Sequence, residues 1–157
     1  MKIVILAVGK TTTDYLVKGI DGFLKRVNHY LPVEMVIIPD VKQAKGMTEA
    51  TQKEREGQAM LAVLQPGDVV VLLDERGKEF TSREFASQID RRMVQGIKRL
   101  VFVIGGPYGF SQGMYDRAND KMSLSRMTFT HEMVRLFFVE QVYRAMTIIR
   151  GEPYHHD

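Results

Sequence analysis

The sequence predicts an α/β fold: a mostly parallel sheet flanked by helices. Short runs rich in Val, Ile and Leu show little polar alternation, as strands covered on both faces should. Between them lie longer segments whose apolar residues return every three or four positions, the spacing of a helix with one buried stripe. Size supports the same picture. At 157 residues, 45% hydrophobic and 26% charged, the chain suits a single globular domain spanning 1–157. A domain of that size buries roughly 70% of its unfolded surface.

The elements follow in alternating order. Residues 2–8 form a continuous apolar run, too short to cross a membrane and without a cleavage-site pattern, and are read as the first strand. Residues 14–30 carry Leu16, Ile20, Phe23, Val27 and Tyr30 on one helical stripe, with Thr12 and Thr13 as caps. Residues 33–38 are a second strand. The helix over 48–64 begins polar and docks Met60, Leu61 and Leu64. Residues 68–73 are the third strand. Thr81-Ser82-Arg83-Glu84 is a capping box opening a helix that buries Phe85, Ile89 and Met93 and stops at Gly96. Residues 100–104 are the fourth strand, Ser111 caps a short helix, and residues 122–127 are the candidate fifth strand.

The last helix, 131–150, is apolar on most of its sides. Met133, Leu136 and Phe137 mark one line, Val134, Phe138, Val142, Ala145 and Ile149 another, and Val139, Tyr143 and Met146 widen the arc. A helix apolar nearly all round must be covered nearly all round. A sheet covers one side, so a second copy of the chain is expected on another. Burial within a single-chain core is the alternative.

Composition narrows the chemistry. There is no cysteine, which excludes thiolate nucleophiles, disulfides and cysteine metal sites, and suits a reducing cytoplasm. The four histidines are His29, His131, His155 and His156, and no metal site is expected. The net charge of +3 is compatible with a nucleic-acid partner without requiring one.

In parallel sheets ligands bind beyond the carboxyl ends of the strands, so the segments after each strand hold the site. Gly9-Lys10-Thr11 follows the first but lacks the upstream glycine of a phosphate loop, since Val4 stands there. Leu73-Asp74-Glu75-Arg76-Gly77 follows the third and reads as a charged turn, with Gly77 at positive φ and Leu73 as an apolar wall. Gly105-Gly106-Pro107-Tyr108-Gly109 follows the fourth. Its glycines let the backbone approach a flat ligand, but their spacing is not that of a dinucleotide fingerprint. Ser123 to His131 interleave small polar and apolar residues, suited to reading a purine edge and closing around its ring. Thr130 is also placed to cap the last helix.

As an ordered set these segments resemble one family. The resemblance rests on Ala7-Val8-Gly9-Lys10, Leu73-Asp74 with Gly77-Lys78, Ile104-Gly105-Gly106-Pro107 with Gly109, and Ser123-Leu124-Ser125 with Thr128 and His131. Tyr143-Arg144-Ala145 and Pro153-Tyr154-His155 complete it. The chain is similar to the ribosomal RNA large-subunit methyltransferase H (RlmH, or YbeA-type) family, within the SPOUT class of methyltransferases with a deep trefoil knot. The resemblance implies a cytoplasmic homodimer that uses S-adenosylmethionine to methylate N3 of a pseudouridine in 23S rRNA on the assembled ribosome. The cofactor positions it implies are Leu73, Gly106, Ser125, Arg126, Met127, Thr128, Phe129 and Thr130, with Gly105 adjacent. His156 replaces the terminal arginine that family members often carry, Glu132 replaces a common proline, and Tyr108 a common glutamate.

The chemistry is an in-line displacement on an activated methyl donor, so positioning dominates. Leu73, Ile104 and Met127 are expected to sandwich the adenine. The imide nitrogen must lose a proton, and His131, His155 and Tyr154 are the catalytic candidates. Lys10, Lys18, Lys25, Arg26, Lys42 and Lys45 are candidates for phosphate contacts. A non-catalytic ribosome-binding factor and an NAD or flavin enzyme are the competing readings; calorimetry with S-adenosylmethionine and an absorbance scan discriminate them.

Overall fold

A computed structural model describes residues 1–42 and 44–157. Ten elements alternate along the chain: β1 Lys2–Val8, α1 Asp14–Asn28, β2 Val33–Ile38, α2 Glu49–Val63, β3 Val69–Glu79, α3 Ser82–Val94, β4 Arg99–Ile104, α4 Gln112–Arg117, β5 Asp120–Ser123 and α5 Met133–Ile149. The strands form one parallel sheet in the order β2-β1-β4-β3-β5.

Strand alternation divides the core in two. Ile3, Ile5 and Ala7 of β1, with Leu100, Phe102 and Ile104 of β4, face the layer that holds α1, α3 and α5. Val4, Leu6 and Val8, with Val101 and Val103, face Met60 of α2 and Met114 of α4. Both sets are almost wholly buried, which is why the strands read as unbroken apolar runs.

The predicted caps form at Thr81 and Ser111, whereas Thr13 precedes α1 without a side-chain capping bond. The Thr81 hydroxyl accepts from Glu84 N–H at 3.1 Å while the Glu84 carboxylate accepts from Thr81 N–H at 2.8 Å, closing the capping box. Ser111 caps α4 and Thr48 caps α2. Gly96 adopts φ 76° beyond α3, where a side chain would be strained.

Three expectations change. First, β3 does not stop at residue 73. It pairs with β5 through Leu73↔Met122, loops out four residues and pairs again through Lys78↔Met122. Gly77 is therefore not a positive-φ turn residue. It is glycine because a Cβ would meet the Met122 backbone at 2.5–2.6 Å. Second, β5 lies at Asp120–Ser123, not 122–127, which leaves residues 124–132 as the loop into α5. Third, much of the apolar arc of α5 is covered within the chain. The helix packs against α1 and α3 as well as the sheet, burying Phe138, Val139, Val142, Ala145 and Met146. Phe137, 44% exposed, lies on its uncovered edge.

Candidate active site

A cavity of about 960 Å³ opens at the carboxyl ends of β3, β4 and β5, where the parallel-sheet rule places a ligand. Leu73, Asp74, Glu75 and Arg76 form one wall and residues 104–110 another. Residues 123–125 and 127–134 form a third, and Thr13, Tyr15 and Leu16 at the start of α1 close the remaining side.

Each wall has a local cause. The looped-out residues of β3 are held by Asp74, which accepts from Arg76 N–H at 2.8 Å and from the Tyr115 hydroxyl. Burial and that carboxylate push the Tyr115 pKa up to about 12, so the phenol stays protonated as a donor at neutral pH. The glycine turn after β4 closes on itself through Gly109 N–H to Gly106 O at 3.2 Å, with Gly109 at φ 82°. The loop after β5 is ordered by its own serines. The Ser123 hydroxyl donates to Ser125 O at 2.9 Å, and the Ser125 hydroxyl accepts from Met127 N–H at 3.0 Å. Thr130 accepts from Met133 N–H at 3.2 Å and from Val134 N–H through its carbonyl, so it caps the first turn leading into α5.

Of the predicted cofactor residues, Leu73, Gly105, Gly106, Ser125, Met127, Thr128, Phe129 and Thr130 all line this cavity, as does Ile104. Arg126 does not. Its side chain is 88% exposed and makes a solvent-facing ion pair with Glu79 at 3.4 Å. Met127 is 78% exposed, leaving its side of the adenine sandwich open.

Of the catalytic candidates, His131 lines the cavity. Tyr154 and His155 do not line it in their own chain. The tail folds back along α5, where the Tyr154 hydroxyl donates to Glu140 at 3.0 Å and its ring packs edge-on against Tyr143. Burial raises the Tyr154 pKa, and the hydrogen bond to Glu140 adds to the shift. His155 lies between Arg144 at 3.2 Å and Asp157 at 3.1 Å, and Asp157 accepts from Arg83 at 2.7 Å. The basic candidates Lys10, Lys18, Lys25, Arg26, Lys42 and Lys45 are exposed. Among the described residues, no group of three or more His, Cys, Asp or Glu is arranged to hold a metal ion.

Two residues at the start of α5 tie the rim together: Arg135, to which the sequence drew no attention, and Glu132, notable there only as a departure from a common proline. Arg135 is 1% exposed, and its guanidinium donates to Val8 O and Gly9 O, both at 2.7 Å, and to the Thr11 hydroxyl at 2.9 Å. Burial pushes its pKa down. Glu132, which stands where the resembling family often has proline, accepts from Thr12 N–H at 2.5 Å and Thr13 N–H at 3.3 Å. It thus supplies an acceptor at the start of α1, where the Thr13 side chain makes no capping bond. These backbone hydrogen bonds hold the Glu132 pKa below the usual carboxylate value.

The family model described as "Predicted SPOUT methyltransferase" matches residues 1–155. The chain belongs to the SPOUT methyltransferase family. It is 55% identical over 157 residues to ribosomal RNA large subunit methyltransferase H of Parabacteroides distasonis, covering 100% of each chain. It is 53% identical over 156 residues to the protein of the same name from Christiangramia forsetii, covering 99% of each. A probable methyltransferase of Bordetella pertussis superposes with a TM-score of 0.59 at 10% identity, over 92% of this chain and 94% of that one, and so shares the fold. As a SPOUT methyltransferase the chain uses a methyl donor, and the strand-end cavity offers a place for one.

Proposed function

We propose that this SPOUT methyltransferase transfers a methyl group from S-adenosylmethionine to N3 of a pseudouridine in 23S rRNA. The target is taken to be the assembled ribosome of the cytoplasm. The carrying observation is convergence. Leu73, Gly105-Gly106 and the loop after β5 meet around one cavity at the ends of three adjacent parallel strands. The names of the two relatives above support ribosomal RNA as substrate. The donor, the pseudouridine and its N3 follow the sequence resemblance.

The residues present fit that donor. Leu73, Ile104 and Met127 offer apolar faces for adenine, while the glycine turn admits a close backbone. Main-chain groups of Ser125, Met127, Thr128, Phe129 and Thr130 supply donors and acceptors for a purine edge. When bound, S-adenosylmethionine supplies a methyl already activated on sulfonium, so the protein's work is orientation.

The acceptor nitrogen must also give up a proton. His131 on the cavity wall is the proposed base within one chain, because a neutral imidazole carries an acceptor nitrogen. Tyr154 and His155, held along α5, enter the reading through a homodimer that presents them to the other copy's cavity. The exposed apolar side chains Tyr15, Met127, Phe129 and Phe137 support such an interface; Phe129 and Phe137 already pack ring to ring at 5.2 Å. A net charge of +3 gives one copy little affinity for RNA by charge alone, which also favours a dimer on a large preassembled target. The reading takes residues 1–157 as one domain with the deep trefoil knot typical of its family.

The test is to incubate isotopically labelled S-adenosylmethionine and the protein with ribosomes lacking the modification. Label in a 23S pseudouridine is expected. Cofactor binding without transfer to ribosomes would contradict the assignment.

A further inference from the structure

The carboxylate of Glu56 is buried under the glycine turn and unexplained by packing. Its residue is 2% exposed. Oε1 accepts from Gln52 Nε2 at 3.1 Å, whereas Oε2 is buried and has no hydrogen-bond partner among the described residues. A Cβ on Gly106 would overlap Oε2, so the carboxylate rests directly on the Gly106 backbone. The next residue, Gly57, leaves room for the Ser111 hydroxyl that caps α4. Helix α2 thus braces both ends of the turn that carries Gly105 and Gly106 into the cavity.

A buried acceptor without a donor is costly, and an apolar side chain of the same size would fill this space without that cost. The orphan oxygen makes sense if the glycine turn brings it a donor when the turn settles against a ligand. We propose that Glu56 is a positioning residue for the cofactor turn: its buried, unpartnered Oε2, seated against Gly106, receives a main-chain N–H of Gly105, Gly106 or Tyr108 and fixes that turn for binding. The inference rests on the reading of the cavity as a site for S-adenosylmethionine.

Glu56→Gln in the full-length protein separates this from a structural role. Glutamine keeps the volume and the acceptor for Gln52, but places an NH2 group where the free oxygen stands. Calorimetric titration with S-adenosylmethionine should show Kd raised about tenfold, equivalent to ~1.4 kcal/mol. The melting temperature of the cofactor-free protein should stay level, because one unpartnered buried polar group replaces another. Unchanged Kd overturns the proposal, and so does an affinity loss that merely follows a loss of stability. If Glu56→Gln fails to fold, Glu56→Asp decides by the same criteria, since it keeps the charge but withdraws it from Gly106. Absence of binding by the wild-type protein would instead bring down the cavity reading itself; wild-type binding left intact by the variants refutes Glu56 alone.

Discussion

Replacing Arg135 with methionine tests how the rim of the cavity is held. The guanidinium joins the first turn of α5 to the end of β1, 126 residues away in sequence from its Gly9 contact. Methionine fills a similar volume but brings no donor. Two main-chain carbonyls, Val8 O and Gly9 O, then lose their partner in a buried setting. Each unsatisfied acceptor costs about 1–3 kcal/mol. No longer burying a cation offsets part of that loss. The carbonyls cannot be removed with it, so the net should be a destabilisation of ~3 kcal/mol. For a chain of this length each kcal/mol moves the melting temperature by about 2–4 °C. Calorimetric unfolding of Arg135→Met should therefore show a fall of about 6–12 °C. Arg135→Lys should recover only part, because an ammonium lacks the planar fork that spans both carbonyls. A melting temperature equal to or above wild type for Arg135→Met would refute the reasoning.

Three further outcomes follow from the same geometry. Gly77→Ala drives a methyl into the Met122 main chain and should cost about 1–3 kcal/mol by overpacking; a thermal scan matching wild type would mean that β3 and β5 separate freely. His131→Ala should lower methyl transfer at least tenfold, on the order of a lost general base, while calorimetry finds cofactor affinity nearly intact; unchanged turnover would leave the proton to Tyr154 or His155. Glu132 has a lowered folded pKa, so its contribution is present above the unfolded carboxylate pKa and is lost as pH falls through the folded one. Glu132→Gln should accordingly lose stability less steeply on acidification than wild type in paired melts, and parallel curves would contradict this.

The sequence made the sheet legible because strands buried on both faces leave unbroken apolar runs, as at residues 3–8 and 100–104. Caps at Thr81 and Ser111 were equally readable, since their chemistry is local. The second pairing of β3 was not. It depends on a close approach between Gly77 and Met122, which no local pattern encodes. The apolar arc of α5 overstated the uncovered surface because α1 and α3 take up two of its sides. Most of the cofactor positions that the resemblance implies line the cavity, whereas Arg126 shows that membership of a motif does not turn every side chain inward. Arg135 and Glu56 belong to no motif and drew no attention in the sequence. Spacing held a signal for both: Arg135 lies three and seven residues before buried Phe138 and Val142, and Glu56 four residues from buried Gln52 and Met60. A charge on the buried stripe of a helix marks a demand that packing alone does not create.

The central claim is that the cavity at the ends of β3, β4 and β5 holds the methyl donor. A crystal structure of the protein with S-adenosylmethionine tests it most directly. Adenine is expected between Leu73, Ile104 and Met127, its edge bonded to the main chain of residues 125 and 127–130 and the Gly105-Gly106 turn against it. The cofactor bound elsewhere, or its adenine outside these walls, would contradict it.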